Sequence, residues 1–137
     1  KSLWEKMEEM NGHEMDKIHA LFKSQDERLD AKRRIMELGD LSISDSMGTN
    51  LEINAPGVNK GMGLIQLGRL LGIEREEIMA CGDGNNDLMM LKEVGFGVAM
   101  ANGADEVKEV ADYITLSNEE DGVAAAIEKF VLNPERG

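Results

Sequence analysis

The stretch that most constrains the fold is residues 78–91, which read IMACGDGNNDLMML. A short apolar run ends abruptly at Gly82, a polar segment with one glycine follows, and apolar residues then recur at helical spacing. This order predicts a β-strand, a loop and a helix. Ligands of open α/β sheets bind at the carboxyl ends of strands, so the loop predicts a binding site.

Two carboxylates stand in this loop. Asp83 is placed at the end of the strand, and Asp87 follows where it can cap the next helix. Carboxylates this close repel each other unless a cation lies between them. Mg²⁺ takes one or two carboxylates and keeps several waters, so the loop favours a magnesium site. The alternative is that the Asp, Asn and Gly residues are ordinary turn and cap residues.

Composition limits the classes of partner. The chain has 137 residues, which suits one modest domain, and its formal net charge of −12 argues against a nucleic acid or an anionic membrane. No apolar stretch approaches the ~20 residues of a membrane span. Cys81 is the one cysteine, which excludes a disulfide framework and predicts a reducing cytoplasm. We expect Cys81 to be a core residue rather than a reactive thiol.

The first 56 residues predict an α+β layer, in the order helix, strand, helix, strand, strand. The first helix would carry Leu3, Met7 and Met10 behind a capping box of Ser2 and Glu5. The predicted elements that follow are a strand at 17–22, a helix capped by Asp26 and stopped by Gly39, and two strands at 41–47 and 50–55 joined by a Gly48–Thr49 turn.

Two features of this part have competing interpretations. Residues 45–49 (DSMGT) resemble the aspartyl nucleophile motif Asp-x-Asp-Gly-Thr of phosphotransferases, but Met47 replaces the second carboxylate and a new strand starts at once. We therefore favour a hairpin turn over a nucleophile at Asp45. His13 and His19 fall on different elements, which favours surface or packing histidines over metal ligands.

From residue 57 the pattern alternates strictly between strand and helix. Asn59 can cap a helix that ends at Gly72 and carries Leu64, Leu67, Leu70 and Leu71 on one face. Lys60 would then lie in the first turn, where a cation opposes the helix dipole. An anion bound at the helix N-terminus would explain this lysine, and a solvated surface lysine is the alternative.

The remaining elements complete a doubly wound α/β pattern. They are a strand at 95–100, a helix at 104–110, a strand at 113–116 and a last helix capped by Ser117 or Asn118, with Val123, Ile127, Phe130 and Val131, closed by Pro134. Strands that alternate with helices imply a parallel sheet. The loops at the strand ends open on one edge of such a sheet, where Lys60, Asp83, Asn86, Asp87 and Asn102 can converge.

Residues 51–132 resemble the haloacid dehalogenase (HAD) superfamily, and within it the Cof-type sugar-phosphatase-like hydrolases. The matching segments are LEINAPGVNKG, ACGDGNNDLMML, GVAMANGADEVKEVADYIT and SNEEDGVAAAI. The resemblance implies an α/β fold with the HAD-like Rossmannoid parallel sheet. It also implies that residues 1–56 are the C-terminal part of an α+β cap domain and that residues 57–137 are the C-terminal half of the core domain.

The resemblance also implies roles for the converging residues. Lys60 matches the lysine that neutralises the phosphoryl group and the nucleophile, and Asp83 matches the aspartate that binds Mg²⁺. Asp87 matches the second acidic residue of the metal site, and Asn86 matches a residue that contacts phosphate. Asn102 is the least regular match, because the family usually has Met-Gly-Asn-Ala where this chain reads Met-Ala-Asn-Gly.

The chain departs from the family pattern because it contains no Asp-x-Asp motif. It begins at Lys1 inside the cap, so we expect it to be the C-terminal half of a Mg²⁺-dependent phosphatase that acts on small phosphorylated metabolites, with the nucleophile outside this chain. The alternatives are a P-type ATPase-like phosphorylation domain and a non-catalytic Mg²⁺- or phosphate-binding remnant. We expect the strand at 78–81 to be a sheet edge that takes the N-terminal half of the hydrolase or self-associates.

Overall fold

The computed structural model describes residues 5, 8–9, 16–45 and 48–133, and these form two three-stranded sheets with helices between and around them. The elements are β1 (Lys17–Leu21), α1 (Gln25–Met36), β2 (Ser42–Ser44), β3 (Asn50–Asn54), α2 (Lys60–Leu71), β4 (Met79–Gly82), α3 (Leu88–Glu93), β5 (Phe96–Ala99), α4 (Asp105–Val110), β6 (Tyr113–Ile114) and α5 (Gly122–Ile127). Within the described ranges, no helix is long and apolar enough to cross a membrane.

The first sheet is antiparallel, with the strand order β1-β3-β2. Its register pairs Asn54 with both Lys17 and Ser42, and pairs Glu52 with Ser44. Because side chains alternate along a strand, these polar residues share one face of the sheet. Leu51 belongs to the opposite face and is fully buried. The sheet therefore presents a polar face, as the predicted α+β layer requires.

The second sheet is parallel, with the strand order β4-β5-β6. Met79 pairs with Phe96, and Val98 pairs with Tyr113. The predicted α/β fold class with a parallel sheet is thus confirmed. The hydrophobic core lies beside this sheet and is formed by Ala80, Leu91, Val94, Ala99 and Val107.

Strand β4 is an edge of the parallel sheet. Among the described residues it pairs only with β5, and Ala80 and Gly82 of the strand are buried. The expected edge is therefore present in this part of the chain. Burial raises the pKa of the Cys81 thiol in the same strand, so the thiol stays protonated and behaves as a small core residue.

Helix α1 differs from the sequence prediction at both ends. Its N-cap is Ser24, whose side chain accepts a hydrogen bond from the Glu27 amide, whereas Asp26 had been expected to cap it. Ser24 takes this role because its extended backbone precedes the first helical turn, while Asp26 already lies inside the helix. The helix ends at Met36, before Gly39.

Helix α2 packs through only part of the predicted face. Leu64 packs against the core, but Leu67, Leu70 and Leu71 are exposed, and the buried residues of the helix are Gly61 and Gly68. A Cβ atom on Gly61 would lie 2.9 Å from the Met89 carbonyl oxygen of α3. The two helices therefore approach closely at a glycine.

The other predicted elements are confirmed with shorter bounds, except that neither Ser117 nor Asn118 caps the last helix. That helix begins at Gly122 after Asp121, and Ser117 precedes a separate 3₁₀ turn over Asn118–Glu120. Strand β2 ends at Ser44, and the last helix continues as a π-helical turn over Glu128–Leu132, where Phe130 packs edge-on against Phe96 and Tyr113. Outside the described residues lie Ser2, Leu3, Met7, Met10, His13, Met47 and Pro134, on which some of the sequence predictions rest.

Candidate active site

The site begins at the N-terminus of α2. The Asn59 side chain accepts a hydrogen bond from the Met62 amide at 2.9 Å, which confirms the predicted cap. Gly72 ends the helix in the left-handed conformation with φ of 70°, also as predicted. These caps define the helix bounds and place Lys60 in the first turn, beside the positive end of the helix dipole.

Lys60 reaches across to the loop that follows β4. Its Nζ atom lies 2.5 Å from Oδ1 of Asp87. The lysine side chain is 50% exposed, whereas the aspartate side chain is only 8% exposed. The buried carboxylate therefore accepts one hydrogen bond from the ammonium group, and the other N–H donors of Lys60 remain available to solvent or to a ligand.

The second oxygen of Asp87 organises the loop. Its Oδ2 atom accepts hydrogen bonds from the amides of Asp83 and Gly84, each at 3.1 Å. Asp87 therefore does not cap α3 with its side chain, contrary to the sequence prediction. The loop residues fold back over the carboxylate and supply the amides that a helix N-terminus would otherwise offer.

Gly82 makes this arrangement possible. A Cβ atom at this position would lie 2.6 Å from Cβ of Asp87 and 3.1 Å from Oδ2. Real Cβ atoms essentially never approach that closely, so only glycine allows the buried carboxylate to sit against the end of β4. Sequence reasoning took Gly82 only as the end of a strand, since the close approach depends on a residue in the next turn.

Hydrogen bonding sets the ionisation of Asp87. Burial by itself would raise the pKa of Asp87, but the hydrogen bonds from Lys60, Gly84 and Asp83 outweigh burial and hold the pKa below its ordinary value of 3.8. Asp87 is therefore a carboxylate at neutral pH. Its charge is shared between one lysine and two backbone amides.

Asp83 differs from Asp87 because its side chain is exposed. Its backbone carbonyl accepts from the Ala104 amide at 2.9 Å, which ties the loop to the segment after β5. Among the described residues, no side chain or amide hydrogen-bonds or ion-pairs with the Asp83 carboxylate. This carboxylate is therefore free to bind a cation.

The donor set fits Mg²⁺ better than a metal that needs several protein ligands. No group of three or more His, Cys, Asp or Glu side chains in the described ranges could hold a metal ion. Mg²⁺ needs only one or two carboxylates, since waters complete its octahedron. Asp83 offers a free carboxylate, and Asp87 lies in the same loop with oxygens that are already hydrogen-bonded.

A cleft of about 920 Å³ lies between the site and the antiparallel sheet. Lys60 and Asn86 line it from the side of the parallel sheet. Asn102 is not among the lining residues, and its side-chain oxygen instead accepts from the Asn118 amide at 2.8 Å. The structure thus joins Lys60 to Asp87, Asp87 to Asp83 through the backbone, and Asn86 to the same cleft, while the Asn102 side chain links two loops.

The opposite wall of the cleft was not found from the sequence. It comes from the polar face of the antiparallel sheet and from α1, including Lys32, Ser42, Ser44 and Asn54. Strand alternation marks Ser42 and Ser44 as members of one face, but only the tertiary structure shows that this face lines the same cleft as Lys60. A sequence pattern alone carries no signal for that arrangement.

Asp45 also lines this wall, and it is already paired. Its carboxylate accepts a hydrogen bond at 3.0 Å from Arg28, whose side chain is 8% exposed. Asp45 directly follows β2, which pairs with β3 in an antiparallel hairpin. This arrangement agrees with the hairpin interpretation of residues 45–49. His19 lies 3.1 Å from the Asn50 amide nitrogen, in a side-chain hydrogen bond of the antiparallel sheet.

Comparison with known proteins decides the family. The sequence profile of the family described as haloacid dehalogenase-like hydrolase matches residues 3–127. The chain belongs to this family. The resemblance to the Cof-type hydrolases, stated on four sequence segments, is therefore confirmed.

Individual relatives of this chain are named phosphatases. The chain is 44% identical over 125 residues to a 5-amino-6-(5-phospho-D-ribitylamino)uracil phosphatase of Bacillus subtilis. This match covers 91% of the chain and 50% of the phosphatase. The chain is 36% identical to a phosphoglycolate phosphatase of Methanothermobacter thermautotrophicus, with 84% of this chain and 52% of that protein covered. The chain thus spans about half the length of these relatives.

The fold agrees with that of solved members of the family. A HAD subclass IIB sugar phosphatase superposes with a TM-score of 0.79 at 30% sequence identity. The match covers 90% of this chain and 46% of the sugar phosphatase.

Proposed function

We propose that this chain is part of a Mg²⁺-dependent phosphatase that acts on small phosphorylated metabolites such as sugar phosphates. The observation that carries the proposal is the contact of Lys60 with the buried Asp87, in the loop that also holds the free carboxylate of Asp83. An ammonium group and a helix N-terminus that line one cleft, next to a loop that offers a free carboxylate, suit a phosphoryl group, although the Asp83 and Asp87 side chains do not themselves line that cleft.

Each residue of the site receives a distinct role in this proposal. Lys60 binds phosphoryl oxygens with the donors that Asp87 leaves available. Asp87 is a positioning residue for Lys60 and for the loop, and it supports the metal site. Asp83 would hold Mg²⁺, which supplies charge neutralisation for the phosphoryl oxygens when bound. Asn86 faces the same cleft and is proposed to contact the phosphate, while Asn102 is proposed to support substrate binding indirectly, because its side chain ties its own loop to the Asn118 loop.

The reaction in this family proceeds through an aspartyl phosphate. An aspartate attacks phosphorus, the leaving oxygen departs, and an activated water hydrolyses the intermediate. The Asp-x-Asp motif that supplies the nucleophile and the acid/base group does not occur in this sequence. We therefore propose that the nucleophile lies outside this chain and that the chain contributes the lysine and part of the metal site.

The division of the chain follows the same logic. We propose that residues 1–56 belong to a cap domain and residues 57–137 to the core domain, because the antiparallel and parallel sheets fall on either side of that boundary. The polar cap face offers Ser42, Ser44 and Asn54 to the cleft, which suits a substrate rich in hydroxyl groups. The half-buried, protonated thiol of Cys81 is compatible with a reducing cytoplasm, the location that we propose.

One other candidate is favoured by a specific observation. The lack of an Asp-x-Asp motif suits a non-catalytic module that binds Mg²⁺ or phosphate. The P-type ATPase-like alternative receives less support, because the relatives compared above are named phosphatases.

The test needs binding and turnover in two proteins. The first is the 137-residue chain, and the second, called the joined protein, carries the N-terminal portion of the Bacillus subtilis relative ahead of this chain. We expect the chain to bind inorganic phosphate, measured by calorimetry, and the joined protein to hydrolyse p-nitrophenyl phosphate only with Mg²⁺. Phosphate binding without turnover in the joined protein would favour the non-catalytic module.

A further inference from the structure

The charges that line the cleft do not balance in pairs. The lining lysines of the described chain are Lys17, Lys32, Lys60 and Lys92, and the lining acids are Asp45, Glu52 and Glu106. Lys17 forms an ion pair with Glu52 at 2.8 Å, and Lys60 forms an ion pair with Asp87. Two lining lysines, Lys32 and Lys92, therefore remain outside these ion pairs.

Lys32 is the remaining cation that is most enclosed. It is half-buried, while Lys92 is exposed. In the described residues, no carboxylate lies within ion-pairing distance of either ammonium group. Asp45 lines the same wall as Lys32, but Arg28 already binds its carboxylate at 3.0 Å. The exposed Glu106 belongs to α4, on the core side of the cleft.

Within the described residues, the charge of Lys32 has no opposite charge beside it. Arg28 precedes Lys32 by one helical turn on α1, and the carboxylate that Arg28 binds is that of Asp45. A chain of net charge −12 has many carboxylates that could neutralise this lysine, yet none of the described ones does so.

We propose that Lys32 binds a second anionic group of the substrate, so that the preferred substrates carry a carboxylate or a second phosphate besides the phosphate at Lys60. This inference rests on the proposed function, because it assumes that the first phosphate binds at Lys60. Lys32 comes from α1 on the cap side, and Lys60 comes from α2 on the core side. A doubly anionic substrate would bridge the two walls of the cleft.

Matched ligand pairs test the proposal on the full 137-residue chain by calorimetry in EDTA at low ionic strength. The probes are glycerol 3-phosphate against 3-phosphoglycerate, and fructose 6-phosphate against fructose 1,6-bisphosphate, so that two spacings between anions are covered. We expect the doubly anionic member of at least one pair to bind roughly threefold to tenfold more tightly, since one further ion pair at a partly exposed site is of this size.

Substitutions then assign the preference. Lys32→Gln should abolish it and leave the affinity for the singly phosphorylated ligand within about twofold, while Lys32→Arg should retain part of it. Lys23→Gln removes the same charge from an exposed lysine outside the cleft and is the control. The inference is overturned if neither pair shows a preference, or if the preference survives Lys32→Gln.

Inorganic phosphate separates this inference from the proposed function. Phosphate that binds in a Lys60-dependent manner without any preference for a second anion overturns only the role of Lys32. A chain that binds no phosphate counts against the proposed function, and the inference falls with it.

Discussion

The Nζ atom of Lys60 lies 2.5 Å from Oδ1 of Asp87, although 27 positions separate the two residues. The lysine begins α2, and the aspartate ends the loop after β4. The same carboxylate binds the amides of Asp83 and Gly84. One buried charge thus couples the lysine that we propose to bind phosphate to the loop that we propose to bind the metal, and the predictions below test the two parts separately.

Lys60→Ala in the joined protein should lower turnover by about a hundredfold or more, because the ammonium group stabilises charge that develops on the phosphoryl oxygens. Lys60→Arg should not restore full activity, since the planar guanidinium cannot reproduce a compact ammonium group. Steady-state hydrolysis of p-nitrophenyl phosphate measures both, with Lys23→Ala as control. Wild-type kinetics in Lys60→Ala would make Lys60 an ordinary surface lysine.

Asp83→Asn should abolish the Mg²⁺-dependent activity of the joined protein while the fold is retained, because the substitution removes the free carboxylate of the loop and keeps its size. The assay is phosphate release across a Mg²⁺ titration, with circular dichroism as the check on folding. Asp105→Asn removes an exposed carboxylate from α4 and is the matched control. Activity that persists in EDTA or in Asp83→Asn contradicts the assignment.

The ionised Asp87 carboxylate should stabilise the chain at neutral pH, and this stabilisation should be lost in acid. Its pKa is lowered in the folded state, so its contribution is present above the ordinary value of 3.8 and is lost as the pH falls through the lower folded value. Asp87→Asn should therefore cost stability at pH 7, and the difference from wild type should shrink below about pH 4. Urea unfolding at several pH values measures this difference, again with Asp105→Asn as control. A difference that stays constant down to pH 2 would refute the coupling.

Gly82→Ala should destabilise the chain, since its Cβ atom would lie 2.6 Å from Cβ of Asp87. We expect a loss of about 1–3 kcal/mol, the usual cost of overpacking a well-packed site. Gly63→Ala is the control, because nothing lies within 4 Å of a Cβ atom there and alanine favours the helix by roughly 0.5–1 kcal/mol. Thermal unfolding of both variants should shift in opposite directions. Equal shifts would show that the close approach at Gly82 relaxes without cost.

The edge strand β4 should make the 137-residue chain self-associate. Within the described residues its outer side pairs with no strand, and its sequence MACG has no charge and no proline. Size-exclusion chromatography over a range of concentrations measures this, and the joined protein should elute as a smaller species relative to its mass. We also expect the chain alone to hydrolyse no phosphate ester. A monomeric chain with Mg²⁺-dependent turnover would contradict both expectations and make Asp45 the first nucleophile to test.

The sequence by itself determined the elements whose signals are local. Asn59 and Gly72 delimit α2 because a cap acts within one turn, and residues 78–91 specify strand, loop and helix through spacing alone. The alternation of strands and helices after residue 57 sufficed to predict the parallel sheet. The sequence also predicted that Lys60, Asp83 and Asp87 lie together at the carboxyl ends of the strands of that sheet.

Only the tertiary structure decided how those residues share their charge. Local spacing predicted that Asp87 caps α3, but its carboxylate instead accepts hydrogen bonds from Lys60 and from two loop amides. A buried carboxylate is destabilising unless donors satisfy its oxygens, and these three donors do so. The tertiary structure also decided the packing of α2, where Gly61 approaches α3 closely while Leu67, Leu70 and Leu71 are exposed. The wall that holds Lys32 lines one cleft with Lys60, and no periodicity in the sequence encodes this arrangement of distant segments.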